Sequence, residues 1–413
     1  MSNGERGAGI GDRGSGIGER GRGVAPIALC TLLLLAPPAR AQDTNTVKVS
    51  FDDRGLVFSA PAKQMEFTLR AYLQPMITLQ GDDDAGALRR TTMSIRRARL
   101  ALNGTTFDPR LHFSLQLGFS RQDLDIETLG IANIVADANV QWNWTPNFFT
   151  MVGQGKVFGD RQEINAASEL EFPDRTIVYT TFGPDRDAGI MSGYTRDVAG
   201  GRVMVRASIT EGEGRNSTTG STGLAYGARV DWMPFGAFNA FSEGDLAREQ
   251  HGRLGLGAAY LLDAGAVRAG GLNGPLLFSP RDMRTTYFDA IWKLHGAAIE
   301  AEYVVRDARD PITRSGATMR AVFAGYGVTG EASYVFPSGF MPALRVSSVV
   351  PDASTYGAPT AQRHTQEAVE IARFLKGHHL KWQIELGRDD IRDPLLGATS
   401  AQLYTRLSVL AGL

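Results

Sequence analysis

Strict alternation of apolar and polar residues constrains this chain more than any other feature of its sequence. Residues 94–120 contain two such runs, and in the second run apolar residues occupy every other position: Leu111, Phe113, Leu115, Leu117 and Phe119. Successive side chains of a β-strand point to opposite faces, so each run has one apolar and one polar face. Residues 105–109 have turn chemistry, and the stretch therefore predicts a β-hairpin. This hairpin alone fits a soluble sandwich as well as a membrane barrel.

The rest of the chain favours the barrel over a secreted soluble β-protein. About sixteen alternating segments of roughly ten residues follow one another, which is close to the length of a tilted strand that crosses a bilayer. Short connections alternate with long ones. The long connections are residues 121–133, 160–186, 211–223, 234–252, 272–284 and 351–365. The tryptophans lie on the apolar faces, as in an interfacial belt: Trp142, Trp144, Trp232, Trp292 and Trp382. This pattern predicts an all-β fold, a transmembrane antiparallel β-barrel of about sixteen strands with short turns on one rim and long loops on the other.

The N-terminal segment has the features of an export signal. Residues 1–41 are predicted to be a signal peptide, in which a Gly/Arg-rich start precedes an apolar core at 24–36 and a small-x-small cleavage pattern at 39–41. The only cysteine lies in this segment, so the mature chain has no disulfide. Residues 42–64 are polar and are predicted to be a periplasmic lead-in, and residues 65–413 form the barrel domain. We expect the protein in the outer membrane of a Gram-negative cell.

Composition excludes several other classes of protein. After residue 41 no apolar run approaches the roughly 20 residues that a membrane helix needs. Without residues 1–41 the chain has 38 basic and 41 acidic residues, a net charge of −3, so no nucleic-acid partner is expected. The sequence has no P-loop, no GxSxG motif and no Cys/His cluster. We therefore expect no enzyme activity, no catalytic residue, no metal site and no cofactor.

Several short motifs point to one family. They are IRRARL at 95–100 followed by Gly104, DANV at 137–140, VGQGKVF at 152–158, SEL at 168–170 and GPDRDAG at 183–189. With these motifs the chain resembles the phosphate-selective porin O/P family of Gram-negative outer membranes, over essentially all of residues 47–413. The resemblance implies a sixteen-stranded homotrimeric porin in outer-membrane lipid, with one loop folded into each lumen and basic residues along the path. The chain departs from the family in ending with Leu413, where an aromatic residue is usual.

The polar faces of the strands supply the candidate ion path. If the apolar faces contact lipid, the lumen receives these basic residues: Arg70, Arg97, Arg99, Lys156, Arg202 and Arg206. The planar guanidinium suits phosphate because it donates two parallel hydrogen bonds and stays charged. The same faces also carry acids: Glu66, Asp137, Asp231, Glu300, Glu302 and Glu385. The wall is therefore either an anion-attracting zone or a mixed-charge surface that only solvates the pore.

The connection at 160–186 is the candidate constriction. Roughly 27 residues exceed an ordinary connection, and loops of that length are usually functional or disordered. Its aromatic and charged residues could pack on a wall while presenting charge to a solute: Arg161, Glu171, Phe172, Arg175 and Tyr179. The alternative is a mobile external loop. We predict a diffusion channel for small anions, with phosphate as one candidate; a general non-selective porin and a closed barrel that acts as envelope anchor or adhesin are the alternatives.

Overall fold

The computed structural model describes residues 46–82, 88–124, 132–217 and 223–413. The predicted signal peptide, residues 1–41, lies outside the described residues. Among the described residues, no helix is long and apolar enough to span a membrane.

Sixteen of the strands in the described residues form one closed antiparallel ring. Strands β3 to β13 and β16 to β20 each pair with the next in chain order, and β20 pairs with β3 to close the ring. The ring strands are β3 (Met65–Asp82), β4 (Leu88–Thr106), β5 (Asp108–Gly118), β6 (Val135–Thr145), β7 (Phe148–Lys156), β8 (Arg186–Val198), β9 (Gly201–Thr210), β10 (Ala225–Met233), β11 (Arg253–Arg268), β12 (Leu276–Leu294), β13 (Ala297–Ala308), β16 (Gly325–Tyr334), β17 (Phe340–Pro351), β18 (Arg363–Lys376), β19 (Leu380–Arg392) and β20 (Thr399–Gly412). The predicted fold class, a sixteen-stranded barrel, is confirmed.

The remaining elements are not among the sixteen strands of the ring. Two hairpins accompany it, and short helices occur in the connections. They are β1 (Lys48–Asp52) with β2 (Gly55–Ala60), β14 (Ile312–Ser315) with β15 (Thr318–Ala321), α1 (Arg121–Leu124), α2 (Arg161–Ile164) and α3 (Ile177–Phe182), and the 3-10 turns Pro61–Lys63 and Ala353–Thr355. The first hairpin forms within the predicted lead-in: β2 pairs with β3 up to Leu69, and β20 pairs with β3 from Tyr72 onward. Where β20 ends, β2 of this hairpin therefore takes its place as the strand paired with β3.

Alternation along each strand separates an outer from an inner face. Leu115 of β5 is exposed, while its neighbour Gln116 is partly buried. The strand register aligns Phe113 with Val140 and Val140 with Val152 on the outer face. The tight hairpins of one rim turn through left-handed backbone: Gly200 has a φ of 80° and follows another residue of positive φ, as a type I′ turn requires.

One long connection lies on the rim opposite to the predicted one. Residues 234–252 join β10 to β11, and their neighbours on that rim are the tight turns, as shown by the hydrogen bond from Gly296 N to Asp245 Oδ2 (2.7 Å). The prediction that all long connections share one rim is therefore wrong here. The sequence shows how long a connection is, but the rim on which the connection lies depends on how many strands precede it.

The outer face gives a first testable prediction. Leu115→Arg should destabilise the barrel by about 2–4 kcal/mol, because it places a charge in the lipid-facing band. Gln116→Arg is the matched control, since Gln116 is adjacent and faces Asp137 across the strand pair. The measurement is the urea midpoint of each variant folded into lipid vesicles. Equal stability of the two variants would mean that the assigned faces are off by one residue.

Candidate ion path through the barrel

The loop at residues 157–185, which joins β7 to β8, contacts several sides of the ring. Asp160 and Thr176 cap its helices α2 and α3 by accepting backbone hydrogen bonds. Val178 and Phe182 of α3 are buried in an apolar cluster with residues of β8, β11, β12 and β13. The loop is therefore packed against the inner faces of these strands.

Strand side chains hold the middle of this loop by its backbone carbonyls. The four donors come from β3, β17 and β19 and are at most 1% exposed. The bonds are Lys381 Nζ to Leu170 O (2.5 Å), Gln383 Nε2 to Glu171 O, Gln74 Nε2 to Pro173 O (3.0 Å) and Arg345 Nη1 to Asp174 O (3.0 Å). Because buried carbonyls need partners, these bonds determine which loop residue faces which strand.

An ion-paired cluster attaches the start of the loop. Arg161 Nε donates to Asp289 Oδ1 on β12 (2.7 Å), and Arg229 Nη2 on β10 donates to the same oxygen (3.0 Å). Arg161 Nη1 also donates to the carbonyl of Ala240 in the 234–252 segment. Asp289 therefore joins the loop to the wall, and Arg161 joins it to a segment from the opposite rim.

The 234–252 segment meets the loop a second time through Glu243. Its Oε1 accepts from Gln162 Nε2 (3.0 Å) and its Oε2 from the backbone N–H of Glu171 (2.6 Å). Burial, reinforced by Glu331 and Glu243, raises the pKa of the Glu171 carboxyl to about 8. This shift favours the protonated form of Glu171, which lowers its repulsion with the two neighbouring carboxylates.

A bulge in β4 brings a second arginine to the loop. The pairing of β3 and β4 shifts by one residue at Arg96, so Arg96 and Arg97 both reach Asp174. Arg96 donates from Nε (2.7 Å) and Nη2 (2.6 Å), and Arg97 donates from Nη2 (3.1 Å). Burial would raise the pKa of Asp174, but Arg96 and Arg97 hold it well below its usual range. This carboxylate stays charged between two guanidiniums.

Three of the other predicted basic residues bond to different parts of the barrel. Arg99 donates to Asp123 of α1 at 3.0 and 2.5 Å. Lys156 donates to two carbonyls of the loop, Ile164 O (3.2 Å) and Asn165 O (2.8 Å). Arg202 lies on the short-turn rim, bonded to Asp197 (2.7 Å). The structure therefore brings Arg97 and Lys156 to the 157–185 loop and Arg99 to α1, between β5 and β6, and leaves Arg202 apart from them.

Arg70 and Arg206 line two separate inner cavities. Arg70 borders a cavity of about 150 Å³ together with Ser168 and Glu169 of the loop. Arg206 borders a cavity of about 320 Å³ and lies 3.5 Å from the Asp231 carboxylate. Both predicted residues therefore face space next to the loop.

The remaining predicted loop residues serve mainly to build the loop. Arg175 Nε donates to Gln162 O (2.8 Å), and its guanidinium lies over the Tyr179 ring at 4.5 Å. Tyr179 Oη donates to Glu163 (2.5 Å). Phe172 is 1% exposed under the guanidinium of Arg345, 3.9 Å from the ring centre. These contacts stabilise the loop on the wall rather than point charge into open space.

Residues 77–264 match the family described as phosphate-selective porin O and P. Over this stretch the chain resembles that porin family. No curated protein sequence matches the chain.

Solved outer-membrane structures share the fold of this chain at low sequence identity. The anion-selective porin from Comamonas acidovorans is 13% identical, with a TM-score of 0.55, over 84% of this chain and 100% of that one. The outer membrane channel DcaP of Acinetobacter baumannii is also 13% identical, with a TM-score of 0.55, over 86% and 99%. A loop-deletion mutant of OmpT from Vibrio cholerae is 11% identical, with a TM-score of 0.54, over 85% and 100%. These similarities establish the porin fold.

Four residues of the inner network did not stand out in the sequence. Arg96 is hidden because strict alternation assigns it to the lipid face, and only the bulge turns it inward. Asp174, Glu243 and Asp289 carry no motif, and their partners are distant in sequence. The Pro75 opposite the bulge was an available signal, because proline in a strand often marks one.

Proposed function

We propose that this porin is a diffusion channel for small anions, with phosphate as one candidate solute, and that the 157–185 loop narrows its passage. The coarser conclusion, an outer-membrane channel, follows from the family and the fold. We extend the proposal to a homotrimer in outer-membrane lipid, exported by residues 1–41, as the family resemblance implies.

The uneven exposure of charge is the observation that carries the anion preference. The inward glutamates of β13, β16, β18 and β19 are at most 6% exposed: Glu300, Glu302, Glu331, Glu370 and Glu385. Arg406 is 18% exposed, whereas its partner Glu385 is fully buried. Arg99 is 10% exposed and its partner Asp123 5%. At these two pairs water therefore meets the guanidinium more than the carboxylate, and fixed cations in a narrow passage attract anions.

Neutral polar groups line the wall beside these arginines. Four of them on β4 to β6 are partly exposed: Asn103, His112, Ser114 and Gln141. Ser114 Oγ donates a hydrogen bond to Asn103 Oδ1 (2.6 Å). Arg97 and Arg99 are two positions apart on one strand, about 7 Å by the strand rise. Arg97 is 1% exposed, so of these two guanidiniums only that of Arg99 meets water along this wall.

A general non-selective porin is the second candidate, and ion pairing favours it. Arg97, Arg99 and Arg206 each have a carboxylate within 4 Å, in Asp174, Asp123 and Asp231 respectively. Paired charges of opposite sign cancel much of each other's field at a distance, so the net preference for anions could be small.

The test is the reversal potential of the refolded full chain in a planar bilayer under a KCl gradient. We expect the wild type to be anion-selective and phosphate to reduce the chloride current. The double variant Arg97→Ser/Arg99→Ser should move the reversal potential toward the value of a cation-selective channel. It removes two positive charges and leaves Asp123 and Asp174 behind.

Arg202→Ser is the matched control, since it removes a guanidinium from the rim, away from the loop. It should leave the reversal potential unchanged. A cation-selective wild type, or a double variant with unchanged selectivity and phosphate block, contradicts the anion proposal and leaves a general porin. A folded barrel without conductance would instead support the closed anchor or adhesin.

A further inference from the structure

An apolar groove of about 720 Å³ crosses the outer face of four strands, β16 to β19. Six of its outward-facing side chains define it: Ala332, Tyr334, Pro342, Leu344, Ile371 and Trp382. Two of these are small and lie beside larger ones, because the register pairs Ala332 with Leu344 and Pro342 with Ile371. The groove is therefore a recess in the wall itself, on the face that meets lipid.

The length and position of the groove match one leaflet of a membrane. On β19 it extends from Trp382 to Leu386. These four residue steps correspond to about 13 Å along the strand, comparable to half of the roughly 30 Å hydrocarbon core. One end lies near the short turns, since Trp382 is the third residue of β19. The groove therefore fits an acyl chain that enters from the short-turn side.

An aromatic row that contains one arginine lies at the short-turn end of the groove. The register places Arg373 of β18 between Phe340 of β17 and Trp382 of β19. The two rings contact each other edge to face, with centres 6.1 Å apart, and the guanidinium of Arg373 lies 4.3 Å from the centre of the Phe340 ring. Aromatic side chains mark the membrane–water interface of a barrel, so this arginine lies at the depth of lipid head groups.

The charge of Arg373 is not compensated by the protein. In the part of the chain that the structure describes, no carboxylate pairs with its guanidinium. Its Nε is buried without a partner, whereas its two terminal nitrogens are accessible and make no hydrogen bond to the described residues. The adjacent turns, 336–339 and 376–379, contain no acidic residue, and the second adds the exposed Lys376. The short-turn end of the groove therefore attracts an anion.

The apolar length of the groove favours a lipid over a free anion. A free phosphate beside Arg373 would leave the groove uncovered, whereas a phospholipid covers it with an acyl chain. Ile371, which lines the groove, and Arg373 are two positions apart on the same face, about 7 Å by the strand rise. One lipid molecule can therefore reach both, and the planar guanidinium suits its phosphate.

We propose that this groove is a binding site for an anionic phospholipid of the leaflet that faces the short turns. One acyl chain lies between Ala332, Leu344 and Ile371, and the phosphate accepts hydrogen bonds from the terminal nitrogens of Arg373. A zwitterionic head group also carries a cation, which the charges of Arg373 and Lys376 repel. The site therefore selects lipids by head-group charge. The proposal goes beyond conduction and holds whether or not the barrel selects among ions.

The test uses the refolded full chain in a nonionic detergent, with bound lipid counted by native mass spectrometry. The probes are dioleoylphosphatidylglycerol and dioleoylphosphatidylcholine, which have the same acyl chains and differ in head-group charge. We expect phosphatidylglycerol to bind at about tenfold lower concentration, because the uncompensated guanidinium favours a net negative head group. Inorganic phosphate should not displace it. Equal binding of the two lipids would indicate non-specific lipid contact, displacement by phosphate would indicate a simple anion site, and either result overturns the proposal.

A charge variant locates the head group. Arg373→Gln should reduce the affinity for phosphatidylglycerol to that for phosphatidylcholine. Arg110→Gln is the matched control, because Arg110 also lies over an aromatic ring, that of Trp142 (4.6 Å), but already pairs with Asp108 (2.8 Å). It should keep the wild-type preference. An unchanged preference in folded Arg373→Gln would refute the site.

A second variant tests the groove without changing its charge. Ala332→Phe should fill the recess and weaken binding of both lipids, whereas Ala228→Phe, at an exposed outer position of β10, should not. Unchanged lipid binding in Ala332→Phe overturns the proposal, and a loss of oligomers in that variant would then assign the groove to a contact between copies of this chain. If Arg373→Gln does not fold, the comparison of the two lipids on the wild type decides together with Ala332→Phe.

Discussion

Asp289→Asn is expected to loosen the 157–185 loop and to raise the single-channel conductance. The substitution keeps the shape of the side chain but leaves Arg161 and Arg229 facing each other without their shared carboxylate. Breaking a buried ion pair by removing one partner costs about 3–5 kcal/mol. We expect the loop to leave the wall before the ring of strands unfolds, because ladder hydrogen bonds do not depend on Asp289. The measurement is the current through single channels, recorded together with heat resistance of the folded band on gels.

Asp197→Asn is the control for this prediction. Asp197 also pairs with an arginine, Arg202, but on the exposed rim, where ion pairs contribute little. It should conduct like the wild type. If Asp289→Asn and Asp197→Asn were indistinguishable in conductance and heat resistance, Asp289 would not hold the loop, and the proposed constriction would need another anchor.

Asp174→Asn is expected to increase anion selectivity, opposite in sign to the loss of Arg97 and Arg99. Asp174 neutralises two guanidiniums, those of Arg96 and Arg97. A unit charge acts on an ion about 7 Å away with roughly 0.6 kcal/mol in water. This corresponds to about a threefold rise in local anion concentration. The measurement is again the reversal potential in a KCl gradient.

Two features keep this second result interpretable. Arg97 retains its bonds to Gln74 Oε1 (2.6 Å) and Pro173 O (2.9 Å), so the loop keeps an attachment at this point. Asp108→Asn, at a carboxylate paired with Arg110 on the short-turn rim, removes the same charge away from the loop. A shift in Asp108→Asn equal to that in Asp174→Asn would mean that net charge alone, and not its position, sets the selectivity.

The strands were predictable because their signal is local. The direction of side chains in a strand repeats every two residues, so the sequence of residues 111–119 assigns each side chain to a face. Leu115 and Gln116 lie on the faces that alternation indicates. Arg96 is the informative exception, because a bulge adds a residue and reverses the face. Alternation reports pairing only where the ladder is regular.

The candidate site was predictable in composition but not in arrangement. Sequence placed Arg97, Arg99 and Lys156 on polar faces and singled out the loop that Arg97 and Lys156 contact. It could not show that each cation already has partners, since Arg97 finds Asp174 at a separation of 77 residues. Nor could it show that the 234–252 segment enters from the other rim and binds the loop through Glu243. Such pairs depend on strand order and loop path around the ring.

The sequence by itself therefore determined the class of fold, the approximate strand number and the two chemically different faces of the wall. These follow from period-two patterning, which is a property of neighbouring residues. Only the tertiary structure decided which charges are buried, which are shared and which retain free donors. Arg161 and Asp289 are 128 residues apart, and they meet because the closed ring brings β12 opposite the start of the loop. Contacts of this kind arise from closure of the barrel, which no local pattern encodes.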